Sequence, residues 1–166
     1  MATRSTKPGL TGAIVLVVLV IMAVLVMALF VAVPMTADVY LTDTLWERGR
    51  AVAKEIERKV PIAPHDGVDA EASSSIDTIV RGERDIRHVW VLDCPGLCAA
   101  EHVIARSADT DDEATRTVLE QFNRASRKEQ LHLDSGDLLV AHQSKGGWVL
   151  VSLDRDGAVR AMVGGT

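Results

Sequence analysis

The sequence predicts an α+β fold: an N-terminal transmembrane helix, a long amphipathic helix, and a five-stranded antiparallel sheet with flanking helices. Three observations predict it. Residues 12–35, "GAIVLVVLVIMAVLVMALFVAVPM", carry no charge. Two later stretches repeat apolar residues at helical spacing. Five short runs rich in β-branched and apolar residues lie between turn signals, and three of them are apolar on both faces.

The uncharged stretch comes first. At about 1.5 Å per residue, a helix of that length crosses a hydrocarbon core of about 30 Å, and inside lipid a helix satisfies its own backbone groups. A cleaved signal peptide has an apolar region of about 7–15 residues, shorter than this one, although "VAVPMTA" leaves room for processing. Arg4 and Lys7 precede the stretch without any acid. Residues 1–9 are therefore expected in the cytoplasm, residues 10–35 as a single pass through the cell (inner) membrane, and residues 36–166 outside. All 23 acidic residues and 16 of the 18 basic ones follow the stretch, so the outer part carries 16 − 23 = −7. That sign argues against nucleic acid as a partner, because phosphate binding needs clustered positive charge.

After the apolar stretch, Leu41, Leu45, Val52, Ile56 and Val60 recur at spacings of four and seven with charges between them, which predicts an amphipathic helix. Gly49 within it is expected to weaken it by about 1 kcal/mol relative to Ala. "PIAPHDG" ends it. "SSSIDTIVRGERD" predicts a short helix begun by a serine cap. "HVWVLD" and "VIARS" predict a hairpin, and "DTDDEATRTVLEQFNRASRKE" a further amphipathic helix. In that helix Thr110 and Glu113 fit a capping box, and Val118, Leu119, Phe122 and Ala125 form the apolar face. "EQLHLD", "DLLVAHQ" and "GWVLVSL" complete the sheet through the turns "DSG" and "SKGG", and "DRDGAVRAMV" is expected to form a last helical turn. The run "EQLHLD" alternates, which suits a half-exposed edge strand. "VWVL", "LLVA" and "WVLV" do not alternate, so both faces of the sheet must be covered.

The hairpin loop holds both cysteines of the chain, Cys94 and Cys98. An extracytoplasmic compartment is oxidising, and a disulfide between them is expected there. The chain-entropy contribution of so small a ring is about 2 kcal/mol. A reversible redox pair is the sharper alternative. Adding His102 gives a C-x3-C-x3-H string that offers three zinc ligands, but with looser spacing than usual and no evident fourth, so no metal site is assigned.

The order helix, helix, strand, strand, helix, strand, strand, strand resembles that of PAS-like extracytoplasmic sensor domains of the Cache type, found in bacterial sensor kinases and chemoreceptors. The resemblance runs from about residue 41 to residue 163. It is carried by the apolar stretch feeding "RAVAKEIE", by "ERDIRHVWVLD", by "VIARS" and by "GGWVLVSLDRDGAVRAM". Asp93, Gly96 and "VIARS" loosely match the strand ends and turn of the family, while "CPGLCAAEH" is longer than its usual tight turn. The resemblance implies a PAS-like sheet in residues 36–166 that binds a small molecule on its concave face and shifts the long helix leading to the membrane. Family members usually return through a second transmembrane helix to a cytoplasmic transmitter. This sequence shows neither, so the signal is expected to pass to a partner signalling protein, through a homodimer, or to a transmitter that follows in a longer receptor of which this sequence is the front part. Roadblock-type interaction domains share part of the element order. Their members usually lack an anchor, and the long helix "LWERGRAVAKEIERKV" fits the sensor better.

Candidate ligand residues are Arg106, His142, Trp90 and Trp148. Arg106 closes the second strand, where it could hold an anion by paired hydrogen bonds or stand as a solvated edge residue. His142 is a candidate ligand contact or pH-sensitive group, as is His132, whose strand position makes it surface-facing. Trp90 and Trp148 lie in buried strands, where tryptophan is more often core than ligand platform. The acidic run "DTDDE" lacks the spacing of a calcium loop and suits a helix N-terminus. No phosphate loop, G-x-S-x-G or H-E-x-x-H is present. The expectation is a sensor that is not an enzyme, needs no cofactor and takes a small, possibly anionic ligand. The competing class is an interaction subunit that docks on another membrane protein without a ligand.

Overall fold

The computed structural model describes residues 10–60, 62, 67–94 and 96–158. Arg4, Lys7, most of "PIAPHDG", Pro95 and residues 159–166 lie outside the described residues. The chain divides into two compact units, Met1–Tyr40 and Leu41–Thr166.

Helix α1 (Leu10–Lys59) passes through both units. In the first unit its segment Gly12–Ala32 has 21 residues, none buried, and is long and apolar enough to cross a membrane. Leu, Val, Ile, Met and Phe point outward all round it, from Ile14 to Val31. A helix apolar on every side is found as a membrane span, as a buried core helix and as a signal sequence.

The second unit is built on one antiparallel sheet. Its strands are β1 (Ile86–Leu92), β2 (Val103–Arg106), β3 (Gln130–His132), β4 (Leu138–Gln143) and β5 (Trp148–Leu153). Their spatial order is β2-β1-β5-β4-β3. The central strands β1, β5 and β4 are the ones whose apolar residues do not alternate, and their two faces feed two separate cores.

On one face Val89, Val91, Val140, Val149 and Val151 pack under Leu41, Leu45, Val52, Ala53, Ile56 and Val60 of the chain segment from α1. Helix α2 (Ala70–Val80) adds Ile76 and Ile79 to this core. The five α1-side positions expected from the spacing are all buried. Gly49 has a role the spacing did not show. A Cβ there would lie 2.8 Å from both Leu153 Cδ1 and Val140 Cγ2, so its hydrogen lets the helix approach the sheet.

On the other face Trp90, Leu92, Leu139, Ala141, Trp148 and Leu150 pack under Val118, Leu119 and Phe122 of helix α3 (Asp112–Arg124). Phe122 meets Trp148 edge to face, with ring centroids 5.3 Å apart. Cys94 and Cys98 belong to this core; they are joined at disulfide distance with Cα atoms 5.4 Å apart. Their loop is clasped to α3: Asn123 accepts from the Cys98 amide at 3.1 Å and donates to its carbonyl at 2.7 Å. Arg127 donates to the carbonyl of Gly96. The loop also contains a 3-10 turn, Ala100–His102.

Two helix starts differ from expectation. Asp69, not a serine, caps α2, because its carboxylate accepts from the amides of Glu71 and Ala72 and so starts the helix ahead of the serines. Asp111, not Thr110, caps α3 by accepting from the Ala114 amide at 2.6 Å. Thr110 is instead buried and turned inward. The turn after β3 uses Gly136 at φ 89°, a left-handed conformation that suits glycine. Residues 155–158 form the expected final helical turn.

Candidate functional site

At the end of the sheet near the β3–β4 turn, α3 does not close over its face. A groove of about 450 Å³ opens there between α3, β1, β5 and the turn. Its apolar wall is Trp90, Ala114, Val118 and Leu133; its polar groups include Arg87, His88, Ser152 and Asp137. The register explains the polar end. His88 of β1 pairs with Ser152 of β5, and Ser152 with Leu139 of β4, one step along the same face from Trp90, Leu150 and Ala141. Two polar residues thus stand in the row that is otherwise apolar.

His88 ends a buried chain of hydroxyls. The Val89 amide donates to Ser107 Oγ at 3.1 Å, Ser107 and Thr110 share a hydrogen bond of 2.8 Å, and Thr110 Oγ1 lies 3.2 Å from His88 Nδ1. The arrangement that gives each hydroxyl proton an acceptor runs from Ser107 to Thr110 to Nδ1. It leaves the proton of the neutral ring on Nε2. Burial holds the ring below the ordinary imidazole value of 6.5, so the neutral form dominates near neutrality.

Ser152 is only 1 % exposed, and its Oγ makes no hydrogen bond among the described residues. Burying an unpartnered hydroxyl costs about 1–3 kcal/mol. Arg87 bridges Asp154 at 3.0 Å and Asp137 at 3.6 Å, and Ser135 donates to Asp137 at 3.1 Å. The bond to Asp154 raises the Arg87 pKa further, so this cation is permanent. Trp90 donates its indole N–H to Thr115 at 3.0 Å, which fixes the ring under α3.

Of the four residues singled out in the sequence, Trp90 lines the groove. Trp148 shares its core but sits against Phe122. Arg106 lies on β2, paired with Asp112 at the start of α3, and its guanidinium holds the Asp112 carboxyl below the usual range. His142 is on β4 and bonds Glu57 of α1 at 3.0 Å; Ser144 donates to the same carboxylate. The Ser144 hydroxyl, and then His142, hold Glu57 below its ordinary 4.5. Glu57 and His142 thus tie α1 to β4. His132 is exposed, as its alternation implied. His102 Nδ1 accepts from the Ala99 amide at 3.1 Å, and no cluster of three potential metal ligands occurs among the described residues.

Sequence reading missed His88, Ser152, Asp137 and Arg87. One signal was present: Ser152 is the single hydroxyl in "WVLVSL", an otherwise apolar strand. A smaller groove of about 370 Å³ lies beside the cysteine loop, between Ala100 and Arg116 among others. It holds no buried unpartnered group among the described residues.

Compared with known proteins, the chain matches no family model, no curated protein and no solved structure.

Proposed function

We propose that this chain is a membrane-anchored extracytoplasmic sensor domain of PAS-like, Cache type, which binds a small molecule in the groove between the sheet and α3. The observation that carries this reading is Ser152: a buried hydroxyl left without a partner on the floor of an open groove, next to a neutral His88. A group held at a cost to folding is accounted for when a ligand completes its hydrogen bonding. The order of elements supports the sensor family. The apolar segment Gly12–Ala32, the basic residues ahead of it and the buried Cys94–Cys98 pair support an outward-facing domain held at the inner membrane.

The chain acts in this reading as a binding protein and not an enzyme. A ligand that prefers one spacing of α3 and the β3–β4 turn over another shifts the population of the two. The sheet carries that shift to the α1 residues packed on its opposite face. The recipient is a partner signalling protein or a second copy of the chain. One observation favours the competing docking-subunit reading: α3 fills most of the second face with Val118, Leu119 and Phe122.

The test uses the full chain in detergent and a thermal-shift screen of small metabolites. A ligand at 100 times its dissociation constant adds about 2.7 kcal/mol of stability. Thr117→Trp, at an exposed position of α3 that lines the groove, is expected to abolish the shift. A ligand whose shift survives Thr117→Trp binds elsewhere, and a screen without any stabiliser rejects the sensor reading in favour of the docking subunit.

A further inference from the structure

The charge around the groove indicates the class of molecule that it takes. Five of its lining side chains are formally charged: Arg87 is positive, and Asp111, Glu113, Asp134 and Asp137 are negative, giving 1 − 4 = −3. Two of these acids are already committed. Asp111 caps the N-terminus of α3, and Asp137 faces Arg87. With both of those, and Arg87, set aside, Glu113 and Asp134 remain as exposed carboxylates at the mouth. His88, held neutral by burial, adds no positive charge. The guanidinium that suggested an anion, Arg106, is paired with Asp112 and does not line the groove. A cleft walled by apolar side chains and carrying a net charge of one sign concentrates the opposite sign.

From this we infer that the groove binds a small organic cation, an amine or guanidine whose charged end meets Glu113 and Asp134 and whose body carries a hydrogen-bonding group for Ser152. The inference rests on the groove being a ligand site. Ser152 is the independent sign that something polar completes it, since an acidic rim alone would be an ordinary solvated surface. A volume of about 450 Å³ suits a molecule of metabolite size. An apolar body lies against the wall formed by Ala114, Val118 and Leu133.

The experiment measures binding of matched triplets to the full chain in detergent by ligand-observed NMR. Each triplet keeps one skeleton and changes its end group: butylamine, butyramide and butyrate; benzylamine, benzamide and benzoate; agmatine against its neutral and acidic counterparts. The amines are expected to bind up to about fivefold more tightly than their partners, the upper range for an exposed ion pair. Raising the ionic strength from about 0.01 M to about 1 M shortens the screening length from about 30 Å to about 3 Å and should erase that preference. Glu113→Gln with Asp134→Asn should remove it too, while binding of the amides stays unchanged. Carboxylates that bind as well as the amines overturn the cation inference and leave the groove reading standing. If no member of any triplet binds, or if Thr117→Trp leaves amine binding intact, the groove reading itself fails.

Discussion

On the α1 side of the sheet, Val89, Val140, Val149 and Val151 meet Leu45, Val52 and Ile56 without interruption, and Gly49 brings the helix still closer. On the α3 side the same strands present Trp148 to Phe122 at one end and Trp90, His88 and Ser152 to an open groove at the other. The first face is filled for stability. The second is filled over part of its length and left polar over the rest. One sheet can serve both needs because strand residues alternate sides, so a polar residue at position 88 or 152 does not disturb the core formed by 89, 151 and 153.

The comparison can be broken most forcefully in the packed end of the α3 face. Phe122 is fully buried against Trp148, and Phe122→Ala should cost about 3–5 kcal/mol, read as a lower urea midpoint with an unchanged slope. A loss below about 1 kcal/mol would mean that α3 is loosely held along its whole length and that the two ends of this face do not differ.

Gly49→Ala sharpens the description of the other face. On an isolated helix this change gains about 1 kcal/mol. Here the added methyl meets Leu153 and Val140 at 2.8 Å, and overpacking of this kind costs about 1–3 kcal/mol. The variant should therefore be destabilised, and a rise in melting temperature would show that the helix does not approach the sheet so closely.

The faces should also separate by pH. His88, on the groove side, has its folded pKa pushed below the ordinary 6.5 by burial. Above that value it is neutral in both states. As pH falls below it, the unfolded chain takes up the proton first, so stability declines from about pH 6.5 downward. Glu57, on the α1 side, is held below 4.5 chiefly by Ser144, so its contribution is intact above that pH and is lost as pH falls through the lower folded value. His88→Gln should flatten the first window alone, and Ser144→Ala should reduce the second alone. Urea midpoints measured from pH 7.5 down to pH 3 check both, and a single variant that altered both windows would contradict the separation.

Much of this fold was legible in the sequence because its signals are local or periodic. The α1 positions Leu41 to Val60 repeat at helical spacing, and the unbroken apolar runs around Trp90, Val140 and Trp148 required cover on two sides. The caps were misplaced because serine, threonine and aspartate compete for the same role, and only the backbone path shows which oxygen reaches the free amides. The site was harder to read. His88 and Ser152 are 64 positions apart in number and become neighbours only through the β1–β5 register. Arg106 looked like an available cation until the turn into α3 brought Asp112 to it, and His142 found Glu57 on another element altogether. Pairing of charges across elements leaves no mark in composition or spacing.

The central claim is that Ser152 is kept for a ligand and not for folding, and urea denaturation of the wild type and Ser152→Ala tests it most directly, each with and without the tightest amine at 100 times its wild-type dissociation constant. Without the amine, removing a buried unpartnered hydroxyl should raise stability by about 1 kcal/mol. With it, the wild type should gain about 2.7 kcal/mol and the variant, if its affinity falls tenfold, only about 1.4 kcal/mol. A variant less stable than the wild type that gains as much from the amine would contradict the claim, because Ser152 would then serve the fold and not the ligand.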